Sequence, residues 1–600
     1  MCVYRVLCVR LGENYDSGND NADYEVRKHE AFRIGFSASE HGAWKHARRT
    51  SDSCRMQFTS GGSKSAFIQV IFLQVKIYVL QCLLNFFMSE TLQYFQSGAT
   101  TNRIVFTGLL IILAGILVSG KKMVSLSSFA TASSTQGSKG AAVATSVMGK
   151  RLETMIQAEA ALLEFAQRFG SSTPPVAAMA KLTLFDTPIA RRALTSLKPG
   201  CTWTLSGKQE PEFLTLHGVK VLPTTPAESH HVDSPPLVLL HGYANGALYY
   251  YRNLVDLAQH FRQGVYSLDL LGWGLSSRPK FTLIDTSVES AESFFVDSLE
   301  EWRKHHNIDK MILAGHSMGG YISVAYTEKY PQHVERLILL SPVGVPHSQD
   351  EEETRKARGM APSNTVSWTW KLARTFFTSL WEWEITPGAL LRTMSESRGR
   401  KMVASYVANR LPAVDAHDEQ LALGEYLYTN ALLPPSGEFC LNRILKPVAY
   451  ARKPTVERVP LLKVGHVTFV YGQHDWMDIS GGLDVQQRCD QKGQSIKDSG
   501  LAEEISKQCQ PPKVDVHVVK KAGHLLMLEN WQEFNSSVIV AGLGYDYYRR
   551  HCTLPQPDFV SYQDKEELMR QRSTTTGIHK QEDQGPPARQ VSSVSSSGSQ

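Results

Sequence analysis

A serine with glycines two residues away on both sides is the clearest chemical signal in the sequence. Ser317 lies in the run Gly-His-Ser-Met-Gly, between Gly315 and Gly319. Residues 310–314 have a strand-like apolar pattern, and residues 321–330 have a helical pattern that ends at a proline. A G-x-S-x-G motif between a strand and a helix predicts a sharp turn that exposes the serine hydroxyl as a nucleophile. The motif alone also fits a glycine-rich turn with an incidental serine.

A serine hydroxyl is a weak nucleophile without a base, so the motif requires a histidine and an acid to orient it. Asp475 and His524 follow Ser317 in this order, each just beyond a predicted strand. Loops that leave the carboxyl ends of parallel strands meet at one edge of the sheet, so we expect the three side chains to lie together. Asp478 is the alternative acid. His524 is one of 20 histidines, and a surface loop residue is its alternative reading.

The tetrahedral intermediate of such a reaction also needs hydrogen-bond donors for its oxyanion. The run His-Gly-Tyr-Ala-Asn-Gly, residues 241–246, follows a short apolar strand. We expect the backbone N–H groups of Tyr243 and Met318 to form the oxyanion hole, and His241 to brace the loop rather than to act as the base. A plain turn between a strand and a helix is the alternative for the segment.

Composition excludes several classes of protein. The chain has 600 residues, a formal net charge of +5, 42% hydrophobic and 20% charged residues, and nine cysteines. The small charge and the lack of a basic stripe argue against a nucleic-acid partner. Scattered cysteines with no C-x-x-C pair argue against a disulfide scaffold and a structural zinc site, and fit a reducing compartment. We expect no metal and no organic cofactor. The sequence does not indicate an oligomeric state.

Apolar strands alternate with amphipathic helices after residue 151, which predicts an α/β fold: a mostly parallel sheet with helices on both faces. The predicted strands are residues 237–240, 264–268, 311–314, 336–340, 466–471 and 514–519. The core is expected in two parts, 151–345 and 456–555. The pattern lapses between them, which predicts a helical lid insertion at 346–455. The polar residues 556–600 predict a disordered tail.

Residues 1–150 form a leader of different character. Residues 104–118 are apolar and predict a single membrane span or an interfacial anchor, although they are slightly short for a span. Residues 66–88 are also apolar but are interrupted by polar residues. No acid occurs between Glu90 and Glu153. This bias is typical of a transit peptide and gives a mitochondrial, membrane-associated location as the expectation, with the endoplasmic reticulum or a lipid droplet as alternatives. The alternatives are a cleaved leader, an unstructured linker, or a wrongly assigned start with the true start at Met123.

The predicted insertion is rich in tryptophan. Four of the ten tryptophans of the chain lie within 16 residues: Trp368, Trp370, Trp381 and Trp383. Apolar residues of this segment can share one helical face beside Lys371 and Arg374, which suits a membrane surface or an acyl-chain pocket. A helix packed on the core is an equal alternative.

Five segments together resemble the α/β-hydrolase superfamily: residues 237–245, 269–279, 315–320, 471–476 and 523–524. Within it, the chain is similar to the fungal mitochondrial cardiolipin-specific deacylases and the abhydrolase-type lysophosphatidic acid acyltransferases, over about residues 151–551. The resemblance implies that the protein is a serine hydrolase with a lipid substrate. Its sharper form is the deacylation of a cardiolipin-like phospholipid. The alternatives are a lysophosphatidic acid acyltransferase that uses the same serine and a non-catalytic lipid-binding regulator of a lipase.

One position departs from the acyltransferase pattern. Those members carry an H-x4-D motif at the catalytic histidine, whereas here His524 is followed by Glu529. The departure puts the transferase role in doubt more than the hydrolase role. Relatives that act only as binding proteins lack the nucleophile, so the presence of Ser317 argues against that alternative.

Overall fold

The computed structural model describes residues 137–169, 180–198, 212–223, 234–347, 386–446, 450–500, 502–565 and 567. Nine strands in these residues form one sheet in the order β1-β2-β4-β3-β5-β6-β7-β8-β9. The strands are β1 (Ala180–Ala190), β2 (Phe213–Pro223), β3 (Leu237–Leu240), β4 (Val265–Leu268), β5 (Met311–His316), β6 (Val334–Leu340), β7 (His466–Gly472), β8 (Lys513–Val519) and β9 (Asp558–Val560).

Strands β3 to β8 pair in parallel, while β1, β2 and β9 are antiparallel to their neighbours. The helices are α1 (Gly137–Ala166), α2 (Leu254–Ala258), α3 (Val288–His305), α4 (Met318–Lys329), α5 (Pro387–Thr393), α6 (Glu396–Arg410), α7 (His417–Leu432), α8 (Leu441–Ile444), α9 (Thr455–Arg458), α10 (Ser480–Asp498), α11 (Glu503–Cys509), α12 (Leu526–Glu529), α13 (Trp531–Leu543) and α14 (Tyr545–His551).

Both faces of the sheet are covered by helices. Alternate residues of a strand point to opposite faces, and Leu237 and Leu239 of β3 belong to one buried cluster while Val238 and Leu240 belong to another. The first cluster includes side chains of α1, α7 and α13, and the second includes side chains of α3, α4 and α10. The predicted parallel sheet between two helical layers is confirmed, and each of the six predicted strands agrees with an observed one to within two residues.

Residues 386–446, the longest described stretch of the predicted insertion, are mostly helical. The longest helix of this stretch, α7, packs antiparallel to α1: Arg151 donates to the carbonyl of Leu432 near one end, and Arg168 pairs with Asp418 near the other. On its inner side, Glu419 accepts two hydrogen bonds from Arg252. Helix α7 is therefore fixed to the core by buried polar contacts as well as by apolar packing.

Two predicted boundaries need correction. Helix α1 begins at Gly137, inside the predicted leader 1–150. Residues 558–560, inside the predicted disordered tail 556–600, form β9, because their backbone completes the hydrogen bonds of the edge strand β8. The predicted anchor at residues 104–118 lies outside the described residues. Within the described part of the chain, no helix combines the length and the apolar character that crossing a bilayer requires.

Candidate active site

Ser317 occupies a tight turn between β5 and α4. Its backbone has φ 52° and ψ −113°, a conformation that is strained for a residue with a side chain. The turn is held on both sides, because the Ser317 amide donates to the carbonyl of Leu340 at 2.9 Å and its own carbonyl accepts from Val343 at 3.2 Å. The serine is half-buried and precedes the first residue of α4. Its hydroxyl is thereby presented beside free amides at the start of a helix.

The glycines on either side of Ser317 are required by close approach. A Cβ at Gly315 would lie 2.3 Å from the carbonyl oxygen of Gly319. A Cβ at Gly319 would lie 2.6 Å from the carbonyl oxygens of Leu240 and His241. Both distances are far below van der Waals contact, so a side chain at either position would clash with the backbone.

His524 and Asp475 lie together at the carboxyl edge of the sheet. Nδ1 of His524 donates to Oδ1 of Asp475 at 3.1 Å. Both side chains are largely buried, and the loops that carry them leave the neighbouring strands β7 and β8. The ring of His316, the residue before Ser317, lies 4.8 Å from the ring of His524 between centroids. The turn that carries Ser317, the nucleophile elbow, is therefore in direct contact with the loop that carries His524.

The acid is held as a carboxylate by its surroundings. Burial by itself raises the pKa of Asp475, but the His524 imidazole, the Ser341 hydroxyl and the Met477 amide together hold that pKa below its ordinary value. The alternative acid, Asp478, instead accepts the backbone amide of Ser480 at 2.9 Å. Asp475 is thus the acid that is hydrogen-bonded to His524 and charged at neutral pH.

The predicted oxyanion loop lies against the elbow. A Cβ at Gly242 would lie 3.1 Å from Cβ of Ser317, so the loop backbone passes directly beside the serine. Met318 is the first residue of α4, and its amide has no carbonyl partner within that helix. Among the described residues, neither this amide nor that of Tyr243 donates a hydrogen bond. Two amides are therefore available near Ser317 for a developing negative charge.

His241 stabilises the oxyanion loop, because both of its ring nitrogens are hydrogen-bonded to backbone groups. Its Nδ1 donates to the carbonyl of Gly242 at 2.7 Å, and its Nε2 accepts the amide of Leu270 at 3.0 Å. Burial lowers its pKa, so the ring is neutral at neutral pH. These bonds join the oxyanion loop to the loop after β4.

Three residues that lie next to the histidine were given no role from the sequence. Nε2 of His316 donates to the backbone carbonyl of His524 at 2.9 Å, and burial lowers the pKa of His316 to about 3. The carboxylate of Glu529 accepts the amides on both sides of His524. Trp476 lies 5.0 Å from His524 between ring centroids and is 58% exposed. Only their closeness in sequence to the motif residues could have indicated them.

The insertion is hydrogen-bonded to the oxyanion loop and to the loop after β4. Asn430 of α7 donates to the carbonyl of Asn245 at 2.9 Å, and its side-chain oxygen accepts the amide of Gly274 at 3.0 Å. Burial raises the pKa of Tyr243 well above its ordinary value, so its phenol is neutral. The predicted contact residues Trp368, Trp370, Trp381 and Trp383 lie outside the described residues.

A second group of ionisable side chains lies buried away from Ser317. The carboxylates of Glu159 and Asp269 and the ring of His217 bring their ligand-type atoms within 4.8 Å of one another, a spacing that could hold a metal ion. However, Nε2 of His217 contacts Glu159 at 2.9 Å and Nδ1 contacts Asp186 at 2.8 Å. Burial lowers the pKa of His217, but these carboxylates outweigh it and raise the pKa to about 9. An imidazolium between carboxylates accounts for the cluster.

Comparison with known proteins identifies the family. The family described as the alpha/beta hydrolase fold matches residues 235–530. A protein from Oryza sativa subsp. japonica, named as a probable 1-acylglycerol-3-phosphate O-acyltransferase, is 32% identical over 344 residues, which cover 56% of this chain and 72% of that protein. A (lyso)-N-acylphosphatidylethanolamine lipase of Mus musculus is 31% identical over 304 residues, which cover 50% of this chain and 83% of that protein.

The 1-acylglycerol-3-phosphate O-acyltransferase ABHD5 of Mus musculus is 29% identical over 321 residues, covering 52% of this chain and 78% of that protein. The matched region contains the strained serine turn, the oxyanion loop and the His524–Asp475 pair. The chain therefore belongs to the α/β-hydrolase fold family.

Proposed function

We propose that the chain is a serine hydrolase that cleaves acyl esters of lipids, with Ser317 as nucleophile, His524 as general base and Asp475 as its partner. The observation that carries the proposal is the strained turn at Ser317, whose neighbour His316 contacts the histidine that Asp475 binds. A nucleophile, a base and an orienting acid are the parts that acyl transfer needs.

In the proposed reaction, Oγ of Ser317 adds to the ester carbonyl carbon while His524 takes the hydroxyl proton. The amides of Tyr243 and Met318 stabilise the oxyanion. The bond to the lipid alcohol then breaks, and His524 returns its proton to that alcohol. Water attacks the acyl-enzyme by the same route, which releases the fatty acid and restores Ser317. Asp475 stays ionised and stabilises the imidazolium at each step.

The lipid class is supported by the names of the relatives, which describe acyl transfer to, or hydrolysis of, phospholipid-type molecules. Deacylation of a cardiolipin-like phospholipid is the sharper form of the proposal and rests on the sequence resemblance alone. Lipid profiling of cells that lack the protein tests it: an unchanged cardiolipin acyl composition, with another phospholipid altered, would reassign the head group.

A lysophosphatidic acid acyltransferase is the second candidate, favoured by the names of the rice and mouse relatives. In this case the acyl-enzyme on Ser317 is attacked by the lysophospholipid hydroxyl in place of water. Purified protein given acyl-CoA with and without lysophosphatidic acid separates the two functions. Formation of phosphatidic acid faster than free fatty acid would favour the transferase.

The deciding experiment is covalent labelling by a fluorophosphonate, which reacts with activated serines. We expect labelling and ester hydrolysis in the wild type and neither in Ser317→Ala, because loss of the nucleophile removes the acyl-enzyme. Ser298→Ala is the matched control, since that buried serine donates to the carbonyl of Phe295 within helix α3. An unlabelled wild-type protein would favour a third role, a non-catalytic lipid-binding regulator.

We further propose that the protein works at a membrane surface. Met148, Leu152 and Ile156 are exposed apolar residues spaced four apart on one face of α1, which supports contact with lipid. Replacing Trp381 and Trp383 by Ala tests the insertion: weaker binding to anionic liposomes, with a soluble ester still cleaved, is the expected result. Equal losses in both assays would assign these tryptophans to packing.

A mitochondrial location is proposed from the acid-free stretch before Glu153, with the endoplasmic reticulum or a lipid droplet as alternatives. Fusion of residues 123–151 to a reporter tests the transit peptide, and fusion of residues 104–118 tests the anchor. If the first fusion is cytosolic and the second is membrane-bound, the leader contains a membrane anchor and not a transit peptide.

A further inference from the structure

One carboxylate holds the backbone on both sides of His524. Glu529 is the last residue of α12, the short helix that follows the histidine loop. Its Oε2 accepts the amide of Gly523 at 2.7 Å, and its Oε1 accepts the amide of Leu525 at 3.2 Å. A side chain with two equivalent acceptor oxygens can satisfy both amides at once, and a charged acceptor makes these bonds stronger than neutral ones.

We infer that Glu529 is a positioning residue for His524, an inference that rests on the proposed function. The loop leaves β8 through Lys521, whose φ is 51°, and must then direct the imidazole towards Ser317. The carbonyl of His524 is held by His316, and the two flanking amides are held by Glu529. With these backbone groups fixed, the orientation of the ring follows from its bond to Asp475.

The same contacts assign a role to the acid that follows the histidine by five residues. In the acyltransferase motif that the sequence resembles, this acid is Asp, which would suggest a direct part in acyl transfer. Here both oxygens of Glu529 accept backbone amides, so the carboxylate supports the histidine and does not carry a proton to or from the substrate. It therefore affects hydrolysis and acyl transfer by the same factor.

The matched control is Glu533, a largely buried carboxylate in the same region as the partly buried Glu529. Its Oε2 accepts the amide of Lys520 at 2.7 Å, at the upstream end of the loop. Glu529→Gln and Glu533→Gln each remove one charge and weaken bonds to loop amides, but only the first acts on the amides next to His524. Glu529→Asp keeps the charge and shortens the side chain, so it cannot reach both amides without movement of the loop.

The experiment measures kcat and KM on nitrophenyl butyrate, the rate of fluorophosphonate labelling of Ser317, the ratio of acyl transfer to hydrolysis, and the melting temperature. We expect Glu529→Gln to lower kcat by about 10- to 100-fold with KM changed by less than about twofold, because a misplaced base slows chemistry more than binding. Labelling should slow in parallel, and the transfer-to-hydrolysis ratio should stay constant. Glu533→Gln should keep most of its kcat for a similar loss of melting temperature.

A second measurement does not depend on enzymatic activity. Hydrogen exchange by mass spectrometry should be faster in a peptide covering residues 523–528 of Glu529→Gln than in the same peptide of Glu533→Gln. Unchanged kcat in Glu529→Gln, equal kcat losses in the two Gln variants, or an altered transfer-to-hydrolysis ratio would overturn the inference. An inactive, unlabelled wild type would instead overturn the proposed function, and the exchange rates would still show whether Glu529 holds the loop.

Discussion

Nδ1 of His524 lies 3.1 Å from Oδ1 of Asp475, although 49 residues separate them in sequence. The distance follows from the sheet, because β7 and β8 are parallel neighbours whose last residues, Gly472 and Val519, are paired in register. The loops that follow these strands therefore start side by side at the same edge. The pairing of two strands thus places the acid next to the base.

We predict that Asp475→Asn lowers kcat by several orders of magnitude, up to about 10⁴-fold, because an amide no longer stabilises the imidazolium and can favour the wrong tautomer. The measurement is steady-state hydrolysis of a soluble ester. Asp478→Asn is the control, since Asp478 accepts the amide of Ser480 in a turn. If Asp478→Asn were the crippling change and Asp475→Asn mild, the acid would have to be reassigned.

The central fold could be predicted from the sequence because parallel strands buried on both faces are nearly continuous apolar runs, as in Leu237–Leu240. The antiparallel strands were missed for physical reasons. Residues 558–560 are too few to carry a pattern, and their conformation depends on pairing with β8. Strand β2 has buried residues on both faces, and one of them is the polar His217. The charge of His217 is balanced by Glu159 only in the folded chain, so the sequence of β2 has no regular alternation of polar and apolar residues.

The residues of the candidate site also fall into those that the sequence predicts and those that it does not. Ser317, Asp475 and His524 have local signals, since each follows a strand within a recognisable motif. The contacts of Glu529 and His316 with the histidine loop have none, because they depend on how separate loops meet above the sheet. Neither residue type nor spacing indicates which carbonyl or amide such a side chain will bind.

Gly242→Ala provides a test of the oxyanion loop. The new Cβ would lie 2.8 Å from Nδ1 of His316 and 3.1 Å from Cβ of Ser317, so the loop must move away from the elbow. We expect kcat to fall by about 100-fold or more, the typical cost of losing one oxyanion donor, with a smaller change in KM. Gly465→Ala is the control, because a Cβ there has no atom of the described residues within 4 Å. Full activity of Gly242→Ala would place the oxyanion donors elsewhere.

The charge of His217 predicts a pH dependence of stability. Its pKa is about 9 in the folded chain and 6.5 in the absence of interactions. Because the folded pKa is the higher one, the stabilisation is fully present below pH 6.5 and is lost as the pH rises through about 9. The difference between the two pKa values corresponds to roughly 3.5 kcal/mol. Chemical denaturation at pH 6, 7.5 and 9.5 should show a falling free energy of unfolding.

In His217→Gln this loss between pH 6.5 and 9.5 should be much smaller, and the protein should be less stable at pH 6. His517→Gln is the control: burial lowers the pKa of His517 to about 4, so that ring is neutral throughout the range. A wild-type pH dependence that persists unchanged in His217→Gln would show that another group is responsible.

The last prediction concerns the exposed indole beside the candidate base. Trp476 is 58% exposed and its ring lies 5.0 Å from that of His524, so a large apolar surface stands in water at the site. Tryptophan is favoured where apolar chains meet water, and a side chain of this size stabilises a bound lipid surface by about 1.5–3 kcal/mol when it is buried there. We therefore expect Trp476→Ala to weaken binding to phospholipid vesicles by about tenfold or more. Hydrolysis of a short soluble ester should fall by less than about threefold, since the hydrogen bond between His524 and Asp475 does not involve the indole.

Leu461→Ala is the control, because Leu461 is 63% exposed but precedes the amino end of β7, at the opposite edge of the sheet. Equal losses on vesicles and soluble ester would mean that Trp476 supports the histidine ring, and the contact with lipid would have to be sought on another surface.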